Sequence, residues 1–189
     1  MERYLVVSGS KKGEDFFSQL LEEAGFHNID TIDSAEGAKR LINNFHYDII
    51  IINSPLADEP GEKLAGTLCK TTASGVLLVV KAEKVSEIED RVADEGVFVL
   101  AKPLNKPMFL AAIRFVRASW MRISALRAKE ENLKKQLEDI KLIERAKYCL
   151  IQYLGMTEPQ AHRHIEKQAM DMRRSKRQIA EDILKTYEM

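Results

Sequence analysis

The sequence predicts an α/β domain followed by an all-α region: a five-stranded parallel sheet covered by helices, a long helical linker, and a small three-helix bundle. Three observations carry this. Short apolar runs alternate with amphipathic stretches through the first 120 residues, the pattern of parallel strands joined by crossover helices. From Met108 to Leu154 there is neither Pro nor Gly, 47 residues in succession, which reads as one long helix. Beyond Gly155, Thr157-Glu158-Pro159-Gln160 and Ser175-Lys176-Arg177-Gln178 are two helix-start signatures, the first with Pro in the opening turn.

Tyr4–Val7 is an apolar run with β-branched residues and forms the first strand. A helix over Glu14–Ala24 follows, with Phe16, Phe17, Leu20 and Leu21 on its buried face and Gly25 as its stop. Ile29–Ile32 is a second, weaker strand. In Ala35–Phe45 the residues Ala38, Leu41, Ile42 and Phe45 recur at i, i+3, i+4 and i+7, one face of a helix. Asp48–Ile52 is unbroken in its apolar character, as a strand buried on both faces requires. Glu62–Thr71, Val76–Val80, Val85–Asp94, Val97–Leu100 and a helix from Lys106 complete five strand–helix pairs. Five such pairs in this length make a flavodoxin-like, doubly wound sheet, in which ligand chemistry gathers at the carboxyl ends of the strands. Within the long helix Ile123, Leu126, Leu133, Leu137 and Ile140 form a thin apolar stripe at heptad spacing, interrupted by Glu130. By itself the stripe fits a parallel dimer or a helix packed on its own domain. Of the last two helices, the first is expected to bury Ala161, Ile165, Ala169 and Met172, the second Ile179, Ile183 and Leu184.

At 189 residues, 45% hydrophobic and 31% charged, the chain has room for one ordinary domain and a small one. No apolar run approaches the roughly 18 residues of a membrane span, and the opening MERYLVVSGS has strand character, not that of a secretory signal. Cys69 and Cys149 share no motif with each other or with a histidine pair, which suits a reducing cytoplasm. A nucleophile–base pair, a metal cluster and a Gly-rich phosphate loop are all absent from the sequence, so neither an enzyme nor a cofactor is expected. The net charge of zero conceals a split: residues 1–120 carry −4, residues 121–140 +1 and residues 141–189 +3. The basic end is the one suited to a polyanion.

In the first half, Lys102-Pro103 follows the fifth strand and Asn53 ends the third. With the order of elements, these features resemble the receiver domain of response regulators, a CheY-like fold, over roughly residues 2–120. The resemblance implies a pocket made by a phosphoacceptor carboxylate after strand three, acidic residues after strand one for magnesium, a hydroxyl after strand four and a Lys before Pro. Only Lys102 matches. The phosphoacceptor position holds Asn53, whose amide is no nucleophile for an acyl phosphate; Ser8-Gly9-Ser10 replaces the acidic pair, and Lys81 stands where the hydroxyl is expected. This degenerate pocket (Ser8, Gly9, Asn53, Lys81, Lys102) is expected to bind no metal. Its two ammonium groups suit an anionic small ligand, with Ser8 and Asn53 as hydrogen-bonding groups, or stand simply solvated.

In the last 45 or so residues, Ala146-Lys147, Gln160-Ala161, Ala169-Met170 and Ile179-Ala180 stand at the spacing of the ANTAR RNA-binding domain of bacterial transcription antiterminators, which the segment resembles. The implied division is a receiver-like domain at 2–120, a helical linker at 121–142 and an ANTAR domain at 143–188. Arg163 and Lys167 share a helix face; Arg173, Arg174, Lys176 and Arg177 form a basic knot at the next junction, where Ser175–Arg177 also offer backbone N–H groups. Read alone the knot is a solvated turn; the resemblance makes it, with Lys147 and His162, the RNA contact. His162 replaces the family's usual Tyr, and Glu166 stands where a basic or polar residue is common, which weakens the local field. Four phosphate contacts would lower affinity roughly 50-fold between about 50 and 200 mM salt. The resemblance implies a homodimer through the 121–142 helix that grips hairpins in nascent transcripts and relieves termination, switched by a small ligand or partner protein at the receiver-like domain. The alternative is a phosphorelay module or a protein-interaction scaffold that binds no RNA.

Overall fold

The computed structural model describes residues 2–92 and 95–187, which fall into two compact units, Met1–Ala125 and Leu126–Met189. In the first, β1 (Tyr4–Ser8), β2 (Ile29–Ile32), β3 (Ile49–Asn53), β4 (Gly75–Lys81) and β5 (Phe98–Lys102) form one sheet in the order β2-β1-β3-β4-β5. Every pairing is parallel. The helices between them are α1 (Lys11–Glu23), α2 (Ala35–Asn44), α3 (Gly61–Thr71) and α4 (Val85–Val92), the last preceded by a 3₁₀ turn at Ala82–Lys84. The expected continuation of α4 through Asp94 lies outside the described residues. The helix α5 (Lys106–Leu154) follows.

Period-two alternation in the strands feeds two cores. Leu5, Val7, Ile50, Ile52, Leu78 and Val80 pack with Ala38, Leu64, Leu68 and Ile88 of α2, α3 and α4. Tyr4, Val6, Ile49, Ile51, Leu77 and Val79 pack with Phe17, Leu21, Phe109, Ile113 and Val116 of α1 and the start of α5. Helices thus cover both faces, which explains why the strands are apolar at consecutive positions. The register sets Ser8 beside Asn53, Asn53 beside Val79 and Lys81 beside Lys102, so the carboxyl ends converge.

Local chemistry corrects some expectations. α1 begins at Lys11, ahead of the expected Glu14, because the Ser10 side chain caps it, accepting from the Gly13 N–H at 3.2 Å. Phe16 and Phe45, both expected on buried faces, are exposed. Phe16 leaves the buried positions to Phe17, Leu20 and Leu21. Phe45 is the C-cap residue of α2, with extended backbone, and the Arg3 guanidinium lies 4.4 Å from its ring centroid.

The second unit contains the remainder of α5, α6 (Glu158–Met172) and α7 (Lys176–Tyr187). Gly155, at φ +66, lets the chain leave α5, a conformation other residues adopt only under strain. Ala146, Cys149 and Leu150 of α5 pack against Ala161, Ile165 and Ala169 of α6 and Ile179, Ala180, Ile183 and Leu184 of α7. Met172 is not in this core: it lies in the last turn of α6, past the buried Ala161–Ile165–Ala169 row, and is exposed. The stripe side chains Ile123, Leu126, Leu133, Leu137 and Ile140 are also exposed. Packing of the stripe on the chain's own domain is therefore not observed. Among the described residues, no helix is long and apolar enough to cross a membrane.

Candidate functional site

At the carboxyl edge of the sheet the five expected pocket residues meet different fates. Asn53 Nδ2 donates to Ser8 Oγ at 2.9 Å, and Ser8 Oγ donates to the Ser10 carbonyl at 3.2 Å. The first turn of α1 closes over this pair: a Cβ on Gly13 would stand 2.3 Å from Ser8 Oγ and 2.5 Å from Asn53 Nδ2. Ser8 is fully buried, and Asn53 Oδ1 is buried without a hydrogen-bond partner among the described residues. Asn53 Nδ2 and Ser8 Oγ are bonded to each other under the first turn of α1, so neither faces an open anion site. Gly9 is exposed, against the Pro55 carbonyl. Lys102 Nζ donates to the Ser54 carbonyl at 2.6 Å, and burial, then the charge of Lys81, lowers its pKa from the ordinary lysine value. Lys81 is exposed, 3.9 Å from Glu83. The next carboxylate in sequence, Asp58, accepts from the N–H groups of Ala35 and Glu36 at 3.0 and 2.9 Å, and those bonds hold its pKa down. It caps α2 and does not enter the pocket. Among the described residues, no cluster of three or more His, Cys, Asp or Glu side chains is arranged to hold a metal ion.

The bundle departs further from the open cationic seat that its sequence suggests. Lys147 is only 6% exposed, with Nζ 2.7 Å from Glu144 Oε1 and 2.6 Å from Glu158 Oε1. Those two bonds raise its pKa. Lys147 is thus a buried strut joining α5 to α6, its ammonium held by two glutamates, where the sequence suggests an open cation. Arg174 Nη1 lies 2.5 Å from Asp182 Oδ2, and Lys176 Nζ lies 2.5 Å from Glu166 Oε1. Arg177 reaches Asp139 at 2.6 Å through Nη1 and Glu181 at 3.0 Å through Nε. His162 Nε2 stands 3.2 Å from the same Glu166 oxygen. Three members of the basic knot are thus tied to acids of the bundle. Ser175 is also engaged: its N–H donates to Gln178 Oε1 at 3.1 Å, and its Oγ accepts from the Gln178 N–H at 3.2 Å, a complete capping box.

Of the cations expected to contact RNA, Arg163, Lys167 and Arg173 have no ion pair among the described residues, and all three are exposed. Arg163 and Lys167 stand at i and i+4 on α6. Arg173 is the C-cap of α6 in left-handed conformation, φ 53 and ψ 41, the one described non-glycine residue with positive φ. Part of the pairing has a sequence signal, since Arg177 and Glu181 stand at i and i+4 and Glu166 weakens the local positive field. The Lys176–Glu166 and Arg177–Asp139 pairs join different helices and leave no sequence signal.

Against known proteins, residues 131–184 match the family model of the ANTAR domain. This takes in the end of α5, all of α6 and most of α7, and reaches back to residues that the sequence reading gave to the linker. A Mycobacterium tuberculosis protein named transcriptional regulatory protein PdtaR is 28% identical over 170 residues, covering 89% of this chain and 82% of the relative. For the first unit, the signal receiver domain of an HD domain-containing protein from Pseudomonas fluorescens Pf-5 superposes with a TM-score of 0.58 at 18% identity, covering 64% of this chain and 90% of that one. A structure described as an adenylate cyclase from Rhodopirellula baltica gives 0.60 at 20% identity over 71% of this chain and 98% of that one. At such identities the likeness concerns fold alone. The chain carries an ANTAR domain in its C-terminal unit, behind a domain of receiver fold.

Proposed function

We propose that this chain is an RNA-binding transcription regulator of the antitermination type, and that it grips hairpins in nascent transcripts so that a terminator hairpin does not form. The observation that carries the reading is the ANTAR match at residues 131–184. The resemblance to a mycobacterial transcriptional regulatory protein over most of both chains supports it. Arg163, Lys167 and Arg173 are the cations free to meet phosphate; Arg174, Lys176 and Arg177 join by exchanging an acid for a phosphate, since exposed ion pairs contribute little to stability. His162 sits at the rim of that surface through its contact with Glu166. Electrophoretic shift of hairpin RNA from a randomised-loop pool tests the reading: retention of a subset at low salt is expected, and no retention of any hairpin would overturn it.

The receiver-fold domain acts in this account without phosphorylation. Asn53 lacks a carboxylate, Ser8 is bonded to it, and α1 closes the space between them. A small ligand or a partner protein would then be the input, and it must bind two states of the domain with different affinity. The exposed leucine and isoleucine stripe supports a homodimer through residues 121–142, which would bring two RNA-binding ends together and raise avidity. Sedimentation equilibrium tests it, and a monomer at micromolar concentration would remove the dimer. The division into sensor (2–120), linker (121–142) and RNA-binding domain (143–188), and a cytoplasmic location, belong to the same proposal.

A further inference from the structure

Met170 is 78% exposed, the most open of the large apolar side chains among the described residues. It contributes nothing to the bundle core, which α6 supplies through Ala161, Ile165 and Ala169. With Glu166, Ala169, Arg174, Ser175 and Lys176 it lines a cavity of about 450 Å³ at the α6–α7 junction. Helical spacing places Met170 three residues after Lys167, four after Glu166 and seven after Arg163, so these side chains share its face.

The result is an apolar centre among cations. Arg163 and Lys167 have no ion-pair partner among the described residues. Arg174 and Lys176 border the cavity with theirs held by Asp182 and Glu166. A thioether adapts to flat, polarisable surfaces and makes favourable contacts with aromatic rings. Flexible cations beside it suit phosphate oxygens. One ligand offers a flat π-face flanked on both sides by phosphates: a nucleotide whose base is not stacked in a helix. Paired stems hide that face, whereas hairpin loops can splay bases out of the stack. The Glu166 carboxylate and Ser175 hydroxyl on the lining can hydrogen-bond the edge of such a base.

We propose that this cavity takes one unstacked loop base, laid on the Met170 thioether, with the flanking phosphates held by Arg163, Lys167, Arg174 and Lys176. The inference rests on the RNA-binding reading above and adds a base-recognition site to it.

The test uses the full chain and a hairpin selected from a randomised-loop pool, with each loop base replaced in turn by an abasic nucleotide. At one loop position the abasic change is expected to weaken wild-type binding about tenfold. Met170→Ala should weaken binding to the intact hairpin by a similar factor, and add nothing on the hairpin abasic at that position. Arg163→Ala, as a phosphate-contact control, should weaken intact and abasic hairpins alike. Because Met170 lies outside the core, the alanine variant should keep the wild-type circular dichroism spectrum and thermal midpoint. Unchanged affinity of Met170→Ala, or a loss that persists on every abasic hairpin, overturns the base site and leaves the RNA reading standing. Failure of the wild-type protein to select any hairpin overturns both.

Discussion

Lys176 Nζ lies 2.5 Å from Oε1 of Glu166, binding the first residue of α7 to the middle of α6. The same carboxylate oxygen stands 3.2 Å from His162 Nε2. A residue that the sequence marks as a local loss of positive field is therefore the one that occupies a cation. The proposed RNA-facing surface is a mesh of exchangeable pairs with a few open cations, and its behaviour should reflect both.

Glu166→Gln should tighten binding to hairpin RNA several-fold at low salt by releasing Lys176, and the gain should fade as salt screens the field. The Lys176 bond, then the charge of His162, holds Glu166 below the ordinary glutamate value of 4.5, and Arg174 holds Asp182 below 3.8. Both folded values are depressed, so the stability these pairs contribute is present above the unfolded values and lost as pH falls through the folded ones. Thermal midpoints of the bundle should be flat in these groups above about pH 5 and decline below about pH 4. An unchanged affinity for Glu166→Gln would show that Lys176 takes no part in binding.

Lys147 is expected to matter for folding. Lys147→Ala removes a buried aliphatic stem and the bonds to Glu144 and Glu158, and the stem alone should cost about 2 kcal/mol. Lys147→Met should recover most of that in urea unfolding, and should bind hairpin RNA as the parent does. A Lys147→Met protein with parental stability and lost binding would return the ammonium to the RNA.

Arg173 holds a left-handed conformation that glycine adopts freely. Arg173→Gly should stabilise the bundle by about 1 kcal/mol while weakening RNA binding and flattening its salt slope by about 0.7. Stabilisation with undiminished binding would mean that the cation at this cap serves no RNA contact.

Asn53→Asp should not create a phosphorylatable receiver. The new carboxylate would meet Ser8 and the backbone of α1, with no acidic pair to hold a cation. Incubation with acetyl phosphate and magnesium, read by intact mass, should give no phosphoryl adduct on either the parent or the variant; an adduct on the parent would contradict the phosphorylation-independent reading.

The fold was largely legible because its signals are local. Five apolar runs, the stretch from Met108 to Leu154 and the boxes at Thr157 and Ser175 correspond to observed elements. The site was less so. The position of Asn53 at the end of β3 follows from strand pattern, but its bond to Ser8 depends on pairing across the sheet. The cations of the knot stand out in sequence, whereas two of the acids that pair with Lys176 and Arg177 of α7 come from other helices: Glu166 on α6 and Asp139 on α5. Lys147 carries the family's pattern yet is buried, because helix packing, invisible in a linear sequence, turns it between two glutamates. Met170 read as part of the Ala-Met pattern, and only the bundle places it outward.

The salt dependence of hairpin binding tests the central claim most directly. If Arg163, Lys167 and Arg173 each meet a phosphate, together they should contribute about −2 to the slope of log affinity against log salt, roughly 20-fold between about 50 and 200 mM. In the variant with all three replaced by Ala, the slope should shrink by about 2 and binding should weaken strongly, with the circular dichroism spectrum unchanged. A folded triple variant that keeps both the affinity and the slope of the parent would contradict the account.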